Sequence, residues 1–120
     1  MLKSINSLEL FKSIEVEQLL KKIVEQLNKD FQLANINNQF KASISSKSLK
    51  INLDAIVLDL ISNKYDDYLN LLYRIDIPEK ELAFIKGDKL TDAVEQISFL
   101  ILKREFQKVW LKKNYKKLSQ

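Results

Sequence analysis

Leu90-Thr91-Asp92-Ala93-Val94-Glu95-Gln96-Ile97-Ser98-Phe99-Leu100-Ile101-Leu102-Lys103-Arg104-Glu105-Phe106-Gln107-Lys108-Val109-Trp110 is the stretch that decides the fold. Apolar residues recur in it at three and four, the spacing of a helix. The lone Gly (Gly87) and the lone Pro (Pro78) both lie upstream. Nothing therefore interrupts a helix over 89–116, which at ~1.5 Å per residue would be roughly 40 Å long. That exceeds the ~30 Å width of a small domain, so such a helix must kink or project at its end.

Its apolar residues fall on two faces. Leu90, Ala93, Val94, Ile97, Leu100 and Ile101 share one; Phe99, Leu102, Phe106, Val109 and Trp110 share another. One reading is a central helix packed on both sides. The sharper reading makes Phe99, Leu102, Phe106, Val109 and Trp110 an exposed face for a protein partner or a second copy, since aromatic residues are enriched at such interfaces. On that reading, residues 103–120 could be deleted without unfolding the rest.

Charge follows the same segment. Lys103–Lys117 holds seven bases (Lys103, Arg104, Lys108, Lys112, Lys113, Lys116, Lys117) and one acid, Glu105. This window carries +6 where the whole chain carries +4, leaving −2 for the remainder. A basic helical end can meet a phosphate backbone or an acidic protein surface. Cations at a helix C-terminus also satisfy the helix dipole with no ligand at all.

Upstream, Val16, Leu20, Ile23, Leu27, Phe31 and Ala34 mark a helix over 14–34, with Ser13 as its N-cap and Glu15 and Glu17 in its first turn. Leu2, Ile5, Leu8 and Phe11 suggest a short helix over 2–12. Residues 36–53 read two ways. Phe40, Ala42 and Ile44, then Leu49, Ile51 and Leu53, alternate with polar residues around Ser45-Ser46-Lys47-Ser48, the pattern of a small β-hairpin near 40–53. Leu49, Leu53, Ile56, Val57 and Leu60 also fit a loop leading into a helix, and the turn lacks the Gly or Asn that tight hairpins favour.

Residues 53–73 read as helix, capped by Asn52 or Asp54 and broken near Ser62-Asn63-Lys64. Asp66 and Asp67 then open a second piece carrying Tyr65, Tyr68, Leu69, Leu72 and Tyr73. Pro78 starts a short helix to about Lys86, which Gly87 closes. The acids of this middle stretch suit helix starts. Arg74 is set to pair with Asp76 or Glu79, and Arg104 to reach an acid in the middle of the chain.

These elements predict a mainly α chain: a compact single-domain bundle of four to six helices over 1–120, with a basic helical end at 103–117. The expected core is Leu20, Ile23, Leu27, Phe31, Ile56, Leu60, Leu72, Val94, Ile97 and Ile101.

Composition narrows the chemistry. The chain has no Cys and no His. It therefore lacks thiolate and imidazole metal ligands, a cysteine nucleophile and the usual general base near neutral pH. One Gly excludes glycine-rich phosphate loops. No catalytic residue, cofactor, metal or small-molecule ligand is implied. The N-terminus lacks the apolar run of a secretory signal and no stretch approaches 18 apolar residues, a pattern that reads as cytoplasmic. The function expected is a non-enzymatic protein-interaction module or small subunit using the apolar and basic faces of the last helix. The alternative is a nucleic-acid-associated protein binding phosphates through that basic end.

Overall fold

The last helix is the spine of the molecule. In a computed structural model describing residues 6–118, it runs without interruption from Leu90 to Leu118. Its 29 residues span ~43 Å at ~1.5 Å each, close to the 45 Å long axis of a molecule measuring 28 × 26 Å across. Five helices precede it: α1 (Ser7–Glu17), α2 (Leu20–Leu33), α3 (Ser46–Asn63), α4 (Tyr65–Ile75) and α5 (Glu79–Leu82), with the spine as α6. No strand occurs among the described residues. Of the predicted 2–12 helix, Leu2 and Ile5 lie outside the described residues; Leu8 and Phe11 fall in α1.

α1, α2, α3 and α4 all pack on α6. Between Ala93 and Trp110, Glu95 alone is exposed. Both apolar faces of the helix are therefore used within the protomer. Val94, Ile97, Ile101, Leu102, Phe106 and Val109 join Leu10, Ile14, Ile23, Leu27, Phe31, Leu49, Leu53, Val57, Leu60 and Leu71 in one core. Of the expected core residues, Leu20 and Ile56 sit at its edge, half-buried, and the others are buried. Beyond Trp110 the helix leaves the core, with Leu111, Lys112 and Tyr115 exposed.

Three helices end on a left-handed residue that is not glycine: Gln18 (φ 55°), Asn35 (φ 62°) and Asp76 (φ 68°). Each is followed by a buried apolar residue, Leu19, Ile36 and Ile77. The N–H of that residue reaches back five positions, from Leu19 to Ile14 at 3.0 Å, Ile36 to Phe31 at 2.9 Å and Ile77 to Leu72 at 3.4 Å. This is the Schellman pattern, in which an apolar residue past the helix end folds back onto the last turn. At Gln18 it divides the expected 14–34 helix into α1 and α2. Ser13 is therefore interior to α1 and bonds the Glu9 carbonyl instead of capping.

The hairpin does not form. Phe40 lies outside any regular element, and its N–H and C=O are taken by the Asn28 side-chain amide at 2.8 and 2.9 Å, not by a second strand. Its ring packs edge-on against Phe31 with centroids 5.5 Å apart. α3 then starts at Ser46, capped by Ser45, whose hydroxyl accepts the Ser48 N–H at 3.2 Å. Neither Asn52 nor Asp54 caps it; Asp54 instead pairs with Lys50 at 2.8 Å. Lys64 separates α3 from α4. Gly87 has φ 136°, and a Cβ there would meet Asp92 Cβ at 2.7 Å. Gln96 grips the same turn, accepting the Lys86 N–H at 3.0 Å and donating to the Lys86 carbonyl.

Candidate functional site

Where α2, α4 and α6 meet, a charged cluster interrupts the apolar core. Asp30 comes from α2, Glu105 and Lys108 from α6, one helical turn apart. Asp30 is 3% exposed and Glu105 fully buried. Lys108 Nζ lies 2.7 Å from Asp30 Oδ2 and 2.9 Å from Glu105 Oε1, and 3.4 Å from the Ile75 carbonyl at the end of α4. The ammonium thus ties three helices together.

One lysine between two buried carboxyls would leave a net negative charge in the core, which is costly. Protonating one carboxyl removes it. Burial, with the hydrogen bond and charge of Asp30, pushes the Glu105 carboxyl up to about 9, while Lys108 acts in the opposite sense. As a carboxylate Glu105 has Lys108 as its ion-pair partner at 2.9 Å; as an acid it can itself donate to Asp30. Burial lowers the Lys108 ammonium, but its bonds to Asp30 and Glu105 outweigh this and hold it above its ordinary value.

Just outside this cluster lies a groove of about 610 Å³ between α2 and the outer part of α6. Leu19 and Val109 give it apolar surface, and Lys22, Lys29, Lys112 and Lys113 give it positive charge, against one acid, Glu25. Lys22, Lys29 and Lys112 are exposed. Two glutamines complete it, Gln18 at the left-handed corner and Gln26. Gln26 also donates to Asp30 at 3.3 Å, linking the groove to the buried cluster.

The expected interface on α6 needs correction. Leu102, Phe106 and Val109 are 1%, 1% and 8% exposed, and Phe99 and Trp110 are half-buried against the core. They do not form an exposed aromatic face, because α1 to α4 already cover that side. Deleting residues 103–120 would remove Glu105, Phe106 and Val109 from the core, so the shortened chain would not stay folded.

The basic run divides likewise. Lys103 faces Glu81 at 3.7 Å and Lys108 is absorbed in the buried cluster. Lys112 and Lys113 reach the groove, and the side chains of Lys116 and Lys117 lie outside the described residues. The fork between Arg74 and Asp76 or Glu79 does not form. Arg74 is exposed at the end of α4, and Glu79 is exposed at the start of α5. Arg104 takes Asp76 instead, at 3.0 Å to its carbonyl and 3.4 Å to its carboxylate. A cation thereby sits at the C-terminus of α4, where the dipole favours it.

Among the tyrosines, Tyr68 is buried against the core and Tyr73 is exposed. Burial, with the neighbouring Tyr65, pushes the Tyr68 hydroxyl up to about 12. No group of three or more potential metal ligands gathers among the described residues, and no helix among them is long and apolar enough to cross a membrane.

Sequence reasoning missed Asp30, Glu105, Lys22, Lys29 and the two glutamines. Glu105 carried a signal: it stands in the row Ile97, Ile101, Glu105, Val109, a charge at the third of four positions that otherwise face the core. Comparison with protein-family models, with curated proteins and with solved structures finds no match.

Proposed function

We propose that this chain is a non-enzymatic protein-interaction module whose docking surface is the groove between α2 and α6. The observation that carries the reading is the concentration of four lysines around that groove. The other bases of the α6 run that the structure describes, Lys103, Arg104 and Lys108, are engaged by Glu81, Asp76 and the Asp30–Glu105 cluster. The remaining described bases of the run, Lys112 and Lys113, both line this one concave place. Its volume falls within the ~300–1,000 Å³ of typical ligand clefts.

Enzyme chemistry finds less support. The perturbed carboxyl belongs to Glu105, which is sealed in the core and bound to its own neighbours. Nucleic-acid binding is also less well supported, because no aromatic ring lines the groove to stack a base.

The test is capture from the native host with tagged protein, comparing the natural chain with a K22E/K29E/K112E variant and with a K41E/K47E control carrying exposed charges elsewhere. A partner retained by the natural chain and the control but lost by the groove variant is the expected result. Equal recovery by all three would remove the groove as the docking surface.

A further inference from the structure

We infer that the outer end of α6 docks on the exposed face of α4 in a second copy of the chain. Both halves of this contact are on the molecule, and neither belongs to the groove: Leu111 and Tyr115 are not among its lining residues.

The α4 half is a stripe. Tyr68, Leu71, Leu72 and Ile75 turn the inner side of α4 to the core. Tyr65, Leu69 and Tyr73 stand at every fourth position and are 55%, 46% and 80% exposed. None of the three belongs to the core. A tyrosine presents ~150–250 Å², so together they leave an apolar patch on the order of 300–400 Å², the size of the largest patch on a typical monomer.

The α6 half has the same layout. Arg104 and Lys108 face the end of α4, at Asp76 and the Ile75 carbonyl. Leu111 and Tyr115 continue that row of the helix, past the point where it leaves the core, and are 51% and 72% exposed. Both stripes are exposed in the same protomer, so they do not cover each other. A second copy is needed to bring them together.

Charge selects that occupant. Tyr65–Tyr73 contains two acids, Asp66 and Asp67, and no base; Leu111–Leu118 contains four lysines and no acid. Arg74, just beyond, still leaves α4 net negative. No described base pairs with either aspartate, and Lys64 beside them is turned to Asp59 at 4.0 Å. Asp66 follows Tyr65 as the exposed Lys112 follows Leu111, with opposite charge at the same place in each stripe. Either stripe packed on its own kind would set like charges together, whereas one on the other sets opposite charges together. The contact is therefore head-to-tail. Its two halves bury on the order of 500–600 Å² of apolar side chain, short of the ~1,200 Å² of a stable interface, so the association is weak and reversible.

Sedimentation equilibrium of the full chain over a concentration series tests this. The average mass of the natural chain should rise with concentration at low salt and rise less at high salt. The variants L69S/Y73S and L111S/Y115S change exposed residues only, so each should keep the natural unfolding temperature. Each alone should associate about tenfold more weakly than the natural chain. Mixed together they should recover association, because each keeps the stripe that the other lacks. A natural chain that stays monomeric at every concentration overturns the inference and leaves the stripes to a different partner. Natural association in either single variant also overturns it. So does a mixture that fails to recover, because each stripe would then be meeting its own kind.

Discussion

Replacing Glu105 by Gln should make the stability of this protein nearly independent of pH between about 5.5 and 8.5, where the natural chain loses stability steadily. Glu105 holds its proton up to about 9 in the folded state, against an ordinary value of 4.5. The unfolded chain therefore releases this proton about four units earlier. The group's contribution is fully present below 4.5 and is lost progressively as pH rises towards 9. In that window each pH unit costs about 1.4 kcal/mol of folding free energy. From pH 5.5 to 7.5 the natural chain should lose about 2.7 kcal/mol, a large share of the ~5–15 kcal/mol typical of a domain. Lys108 does not mask the effect. Its pKa is raised, so its contribution is intact below the ordinary lysine value and lost only above it.

The background is unusually quiet for this measurement. With no His and no Cys, the α-amino group is the one other group ordinarily titrating there. Gln has the size and neutral charge of the protonated acid, and its amide can donate to Asp30 as the carboxyl does. Urea titrations of both proteins at unit pH intervals give the two slopes. Parallel slopes, or a variant less stable than the natural chain at pH 8.5, would refute the buried-acid account.

Two further substitutions test the architecture. Asn28→Ala strips both partners from the Phe40 backbone and should cost about 1–3 kcal/mol, read from urea midpoints; an unchanged midpoint would show that the 34–45 segment is held by its side chains alone. Phe106→Ala opens a cavity at a fully enclosed site and should cost about 3–5 kcal/mol, measured by thermal unfolding; a loss below ~1 kcal/mol would return Phe106 to the list of surface residues.

The helical plan was legible because it rests on periodicity. The α2 stripe and the break at Lys64 follow from spacing and backbone chemistry; Pro78 does open α5, as its N-cap, but α5 ends at Leu82 and not near Lys86, so Gly87 does not close it. The segment 36–53 was ambiguous because alternation records only which side chains face inward. What decides between strand and loop is who accepts and donates to the backbone, and that is Asn28, twelve residues from Phe40 in sequence. The corner at Gln18 was hidden for a related reason. Glutamine gives no local turn signal, and the left-handed conformation is imposed by Leu19 folding into the core. On α6 the two apolar faces were readable, but a sequence does not say whether the second face is covered by the chain's own helices. Here it is. The groove needed two helices at once, and its α2 lysines look like an ordinary solvated face until α6 is placed beside them.

The position of α6 in the chain also sets the order of events during synthesis. α1, α2, α3 and α4 each contact the spine, and its buried residues run from Val94 to Val109. At ~5–20 residues per second, ribosomes complete the stretch from Ser7 to Gly87 about 1–4 seconds before Val109 is added. Throughout that interval the earlier helices carry apolar stripes with no spine to cover them. The nascent chain thus passes through a stage in which apolar surface is uncovered, and that surface is buried only when α6 emerges. Asp30 waits through the same interval for Lys108, so the buried ion pair is among the last contacts to close.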